Sequence, residues 1–275
     1  MKLQLAAFDL DGTLLRDDKS IAPATAAALR EADRAGVLLV PVSGRLYDTM
    51  PREVLSMPFL RYAIAVNGAE VYDVSTMKVL REALMTPAES ARMFAYLKTL
   101  PAIVGWYQDG HGWMAPENFA QIPAFSTSAV METLLHLIYR PMDGARAKKL
   151  RSEPVQKLQV YFKTPEEKKF YLPQMLRDFP DYAVSSSIAN NIEVNSQQAT
   201  KGSALRFLCE YLHIPREACA AFGDGTNDTS MLQYAGFGVA MGNAAPEVLA
   251  AADIVAKTNE QDGLAETLRE LLKKQ

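Results

Sequence analysis

"FDLDGTLL", residues 8–15, sets two carboxylates, Asp9 and Asp11, two positions apart in an apolar run and follows them at once with Gly12 and Thr13. The preceding "LQLAAF" is apolar enough for a strand buried on both faces, the pattern of a parallel sheet. Burying an unpaired charge costs several kcal/mol or forces its neutralisation. A buried strand that ends in two acids therefore needs something cationic or phosphorylated at that end. Residues i and i+2 share a face of a strand, so the two carboxylates can converge on one point if the chain stays extended that far.

Outward from this stretch, strand and helix patterns alternate. "PATAAALREADRAG" reads as a helix with Pro23 in its first turn and Gly36 just past its end. "VLLVPVSGR" supplies a second buried strand, a helix follows through about Leu55, and "YAIAVNG" supplies a third strand. The alternation resumes after about residue 192 with "TKGSALRFLCEYLHI" as a helix, "ACAAFGD" as a strand, "NDTSMLQYAG" as a short helix and "FGVAMG" as a strand. Between them the texture changes. "WYQDGHGW" places Asp109-Gly110 between strand-like flanks, a hairpin signal, and "YAVSSSIANNIEVN" reads as a second hairpin. The expected architecture is a doubly wound α/β parallel-sheet core, Rossmann-like, of residues 1–83 and 191–275, interrupted by an inserted α+β domain of residues 84–190.

Ligands of open parallel sheets sit beyond the carboxyl ends of the strands. Asp9 and Asp11 fall at such an end, and the other strands end in Ser43-Gly44-Arg45, in Asn67-Gly68, and in "GDGTND" with Asp224, Asn227 and Asp228. Carboxylates about 4 Å apart repel by about 4 kcal/mol at an effective dielectric of 20, so this cluster is tolerable only around a cation. Oxygen donors without histidine or thiolate point to Mg²⁺. Ser43 offers a hydroxyl, Gly44 a close backbone approach, and the helix expected after them free N–H groups, together a seat for phosphate. Lys201 begins a helix and adds positive charge. Metal, phosphate seat and carboxylates together suggest phosphoryl transfer.

In order along the chain, "DLDGTLL", "SGR", the lysine of "TKGSAL" and "GDGTND" resemble the four motifs of the haloacid dehalogenase superfamily. "GFGVAMGNA" and the domain inserted after "NGA" resemble its Cof-type, class IIB subfamily, with Ser43 where threonine is more usual. The resemblance implies that Asp9 is a nucleophile forming an aspartyl phosphate and that Asp11 protonates the leaving alcohol and then activates water. It implies Mg²⁺ held by Asp9, the Asp11 carbonyl and Asp224, with Asp228 supporting. It assigns the phosphoryl group to the backbone near Leu10, Ser43, Gly44, Lys201 and Asn227. The insert becomes a mobile cap that selects the leaving group. Sugar phosphates are the favoured substrates, then pyridoxal phosphate or flavin mononucleotide. A phosphomutase of the phosphomannomutase type, dependent on a bisphosphate activator, and a non-catalytic phospho-ligand module are the alternatives. The intact set Asp9, Asp11, Lys201 and Asp224 speaks against the second, because a binding protein needs no nucleophile beside an acid.

Composition narrows the partners. A formal net charge of -3 argues against nucleic-acid or anionic-membrane binding, which leaves a small phosphorylated metabolite; oligomeric state is not legible. Cys209 and Cys219 lack CxxC or Cys/His spacing and are expected to pack inside, as in a reducing cytoplasm. "MKLQLAAFDL" leaves no room for a signal peptide before the first motif, and no apolar run approaches the ~18 residues of a membrane span. Trp106, Tyr107, His111 and Trp113 read as sheet packing, "ARAKKLR" as a solvated helix face, and Thr13 as a turn former. Arg45 and Asn67 either touch the ligand or order their loops.

Overall fold

The structure, a computed structural model, describes residues 2–273. The chain divides into two compact units, one built from residues up to Glu82 and from Thr200 onward, the other from Ala83–Ala199.

The first unit is organised on a five-stranded sheet in the order Ile254–Val255, Phe237–Ala240, Cys219–Gly223, Leu5–Phe8, Leu38–Pro41, every neighbouring pair parallel. Leu5–Phe8 is buried along its whole length, which is why its sequence is a continuous apolar run instead of an alternating one. From this central strand the chain first builds outward on one side, then returns at Cys219–Gly223 and builds on the other. The two central strands thus form the switch point at which open α/β sheets hold ligands. The helix Pro23–Arg34 has its proline in the first turn, and Gly36 just beyond it is left-handed at φ 83°.

The expected third strand, Tyr62–Ala65, meets the edge of the parallel sheet through the parallel Val42–Ile64 bridge and the Ser43 amide, which donates to the Ile64 carbonyl at 2.9 Å, and it also starts an antiparallel sheet with Glu70–Asp73 and Lys78–Glu82. One expectation for this unit is corrected. The expected helix through Leu55 is broken into a single 3-10 turn, Tyr47–Thr49, and a four-residue helix, Arg52–Leu55. Pro51 explains the break: the residue before a proline is driven out of the helical region, and Met50 is extended at ψ 148°.

The second unit is a six-stranded sheet in the order Tyr182–Ser185, Asn191–Ser196, Lys157–Phe162, Ala102–Gln108, His111–Met114, Tyr139–Pro141. Both hairpins read from the sequence are present. Asp109 and Gly110 turn the first with φ 54° and 70°, the two positive values a tight hairpin turn requires. Trp106 is fully buried in an apolar cluster with Leu158, Val160 and Phe162, and the Trp113 ring lies 4.1 Å from the Arg146 guanidinium. Those aromatics are sheet packing. Asn191–Ser196 pairs with strands on both sides inside this sheet, so the return to the first unit comes at Thr200 and not near residue 191. No helix among the described residues is long and apolar enough to cross a membrane.

Candidate active site

Asp9 and Asp224 are the first residues beyond the two central strands. The Asp9 amide donates to the Phe222 carbonyl at 2.9 Å, keeping Asp9 in register at the strand end. The helix Lys201–Tyr211 is capped by Thr200, whose side chain accepts from the Ser203 amide, and Lys201 occupies its first position. Its ammonium, 1% exposed, donates to Asp9 Oδ1 and Asp228 Oδ1, each at 2.5 Å. Asp228 turns its second oxygen back to the Asp224 and Gly225 amides at 3.0 and 2.8 Å, so both its oxygens hold the site together. Asp224 accepts from the Thr13 hydroxyl at 2.9 Å and, more weakly, from Asn243 Nδ2 at 3.4 Å.

Asp9, Asp224 and Asp228 offer oxygens that all lie within 4.8 Å of one another. Burial is the largest influence on Asp9 and pushes its carboxyl well up; the Lys201 ammonium opposes this, while Asp228 and Asp224 reinforce it. Burial and then the Asp228 charge raise Asp224 to about 6. For Lys201 burial disfavours the charge, but Asp228 and Asp9 outweigh it and hold the ammonium protonated. With all three ionised, three carboxylates against one ammonium carry a net charge of −2, the amount one divalent cation cancels. An all-oxygen donor set of this charge fits a hard divalent ion.

Asp11 goes elsewhere. The chain leaves strand geometry after Phe8, and the Asp11 carboxylate is gripped from both edges by Arg45, Nε to Oδ2 and Nη2 to Oδ1 each at 2.8 Å, with Lys19 Nζ on Oδ1 at 2.9 Å. Burial would raise its pKa, yet these two cations overcome burial and lower it to about 2. The expectation that Asp9 and Asp11 converge on one point is thus met only in part: the Asp11 carboxylate stands outside the oxygen cluster.

The remaining sequence candidates line the same edge. Ser43 is buried and its hydroxyl accepts from the Arg45 amide at 3.2 Å. Gly44 lies between them, but no helix starts there, so the expected helix N-terminus is not part of this loop. Leu10 is buried, and its carbonyl accepts from the Leu15 amide at 2.8 Å. Asn227 donates to Asn67 Oδ1 at 3.1 Å. Asn67 sits in a run of three left-handed residues, Val66, Asn67 and Gly68, at φ 51°, 59° and 97°. For a β-branched valine this is a true outlier costing about 1–2 kcal/mol. Bonds from the Val66 amide to the Arg45 carbonyl and from the Asn67 amide to the Ser43 carbonyl hold it there. Strain kept at a strand end beside clustered polar groups is typical of functional loops.

Gly68 has no substitute. A Cβ there would run into the Thr200 carbonyl, directly before Lys201, at a φ that only glycine adopts freely. Gly68→Ala is expected to lower stability by about 2 kcal/mol or more in thermal unfolding, through combined strain and overpacking. A midpoint unchanged within about 1 °C would contradict the close approach.

Two residues escaped the sequence reading. Asn243 bonds the Gly12 carbonyl at 2.9 Å and reaches Asp224; it follows the strand Phe237–Ala240, so the strand-end rule applied to "GNA" would have found it. Lys19 had no such signal, because it returns to Asp11 from a loop.

Comparisons with known proteins place the chain in a family. The family described as haloacid dehalogenase-like hydrolase matches residues 6–268. The phosphatase YwpJ of Bacillus subtilis is 28% identical, with 98% of this chain and 100% of that protein covered. An HMP-PP phosphatase of Yersinia enterocolitica is 31% identical over 98% of this chain and 95% of its own. A solved haloacid dehalogenase-like hydrolase from B. subtilis superimposes with a TM-score of 0.82 at 26% identity, covering 98% of this chain and all of that one. With the match running through both units and the full-length relatives named as phosphatases, the chain belongs to the haloacid dehalogenase-like hydrolases and is a phosphatase.

Proposed function

We propose that the protein hydrolyses small phosphomonoesters in a Mg²⁺-dependent double displacement at Asp9, with sugar phosphates as the favoured class and pyridoxal phosphate or flavin mononucleotide next. The observation that carries this reading is Asp9 itself: a buried carboxylate at the sheet's switch point, bonded to Lys201 and within 4.8 Å of Asp224 and Asp228. A buried acid in such company, at the place where ligands bind, is better explained by chemistry than by stability.

Asp9 attacks phosphorus through the carboxylate oxygen nearest the substrate, the phosphorus bond to the leaving oxygen breaks, and Asp11 supplies the proton to that oxygen. Asp11 then takes a proton from water, which hydrolyses the aspartyl phosphate and regenerates Asp9. Because Arg45 and Lys19 hold Asp11 ionised at rest, proton donation requires this grip to be rearranged when substrate enters. Lys201 neutralises phosphoryl oxygens, Ser43 and Asn227 offer hydrogen bonds, and the backbone near Leu10 and Gly44 offers close approach. Mg²⁺ held by Asp9, Asp224 and the Asp11 carbonyl, with Asp228 orienting them, would supply charge neutralisation for the phosphoryl group. Residues 84–190, with the boundary now at Ala83–Ala199, are the part of the chain we assign to leaving-group selection.

The test is phosphate release from a panel of sugar phosphates, nucleotides, pyridoxal phosphate and flavin mononucleotide with Mg²⁺ or chelator. Release is expected to fall by at least about 100-fold on chelation, matching the several kcal/mol a catalytic cation contributes. Release indifferent to chelator removes the metal from the proposal, and tight binding of panel compounds without release removes hydrolysis.

A further inference from the structure

The antiparallel sheet that begins at Tyr62–Ala65 is irregular at one point. Val71 pairs with Arg81 and Tyr72 with Val79, so Leu80 is an extra residue, a bulge, in the strand Lys78–Glu82. A regular ladder would set Leu80 opposite Val71. The bulge sets Arg81 there instead, on the face that Val71 turns into the apolar core. The half-buried Arg81 guanidinium donates from Nη1 to the Gly68 carbonyl at 2.9 Å and, more weakly, from Nη2 to Ser203 Oγ at 3.4 Å. Its central carbon also lies 6.0 Å from the centre of the Phe207 ring. Ser203 and Phe207 both belong to the helix Lys201–Tyr211.

Arg81 thereby joins two places on which the site depends. Gly68 closes the left-handed run that presents Asn67 to Asn227, and it packs so closely on the Thr200 carbonyl that a Cβ has no room. Ser203 completes the cap of the helix directly before Lys201: its hydroxyl accepts from the Thr200 amide at 3.2 Å and donates to the Thr200 carbonyl at 2.9 Å. The same contacts span the two points where the chain passes between units, since it leaves after Glu82, next to Arg81, and re-enters at Thr200. We propose that Arg81 is a positioning residue for phosphoryl transfer: it pins the strained loop Val66–Gly68 to the start of the Lys201 helix and so fixes where Asn227 and the Lys201 ammonium stand. This rests on the reading of Lys201 and Asn227 as partners of the phosphoryl group. The loop is the side that moves when the pin is lost, because its left-handed backbone persists only while its surroundings hold it. Where catalysis is mostly positioning, a displacement of about 1 Å is enough to lower the rate about 100-fold.

Arg81→Met keeps the apolar stem of the side chain and removes both hydrogen bonds. With p-nitrophenyl phosphate, and at a temperature where thermal unfolding shows the variant folded, kcat is expected to fall by about 10–100-fold while KM changes by less than about threefold. Arg81→Ala leaves room for a free guanidinium ion. Guanidinium at millimolar concentration should raise the kcat of that variant severalfold, sodium at the same ionic strength should not, and Arg81→Met, whose stem fills the space, should not respond. A merely structural role predicts a lower unfolding midpoint with kcat intact below it and no response to guanidinium. Folded variants with kcat within about twofold of wild type, or a loss of kcat that guanidinium does not relieve in Arg81→Ala, would overturn the inference. Lys201→Met separates this from a failure of the underlying reading. Wild-type kcat in that variant removes Lys201 from the chemistry and the inference with it, whereas an inactive Lys201→Met beside a fully active Arg81→Met overturns the role of Arg81 alone.

Discussion

Asp9→Asn should abolish phosphate release, by at least about 10³-fold in kcat, in a protein that folds as well as the wild type or better. The amide keeps the size of the carboxylate and a hydrogen-bonding oxygen but no anionic lone pair for attack on phosphorus. Stability points the other way. Burial, Asp228 and Asp224 all work against the Asp9 charge, and only Lys201 supports it. Removing the charge relieves that repulsion, while Lys201 keeps Asp228 as its partner at 2.5 Å. Activity and stability are thus expected to move apart, the behaviour of a residue kept for chemistry at a structural cost. Phosphate release and thermal unfolding on one preparation decide it. A variant retaining more than about 1% of wild-type kcat would mean that another group makes the attack.

The second large effect belongs to Lys201. Lys201→Met keeps the length of the side chain and fills the same buried space, yet leaves Asp9, Asp224 and Asp228 within 4.8 Å of one another without their ammonium. Breaking a buried pair in this way typically costs about 3–5 kcal/mol, because the remaining charges stay desolvated. At about 2–4 °C per kcal/mol for a unit of this size, the midpoint should fall by roughly 10 °C. Mg²⁺ should recover part of the loss, since a bound cation stabilises the folded state by mass action. A midpoint within about 2 °C of wild type in chelator would contradict the charge balance derived for the cluster.

These two variants also separate what was legible in the sequence from what was not. Asp9, Asp224 and Asp228 could be brought together without coordinates because position along a parallel strand fixes which end a residue occupies, and ligands gather at one end. Lys201 followed from a helix start between two such strands, although its contact with both Asp9 and Asp228 was not readable. The hairpin at Asp109-Gly110 was equally accessible, since its two positive φ values are a local demand on local residues.

What failed was whatever depended on chain beyond the local pattern. The helix after Ser43 was interrupted by Pro51, whose effect on Met50 outweighed the general expectation of a helix after a parallel strand. The boundary near residue 191 moved to Thr200 because Asn191–Ser196 pairs with Lys157–Phe162 and Tyr182–Ser185, a choice of partner that strand-like sequence leaves open. Asp11 shows the division most sharply. Its place two residues after Asp9 was plain, but the direction of its carboxylate was set by Arg45, 34 residues away, and by a lysine held in a left-handed turn. By itself the sequence determined the alternation of strands and helices around the parallel sheet, the sheet edge where the acids collect and the charge type of that edge, because these follow from short-range periodicity and burial. Only the tertiary structure decided which cation meets which carboxylate, because ion pairing acts through space over a few ångströms between residues that the chain keeps far apart.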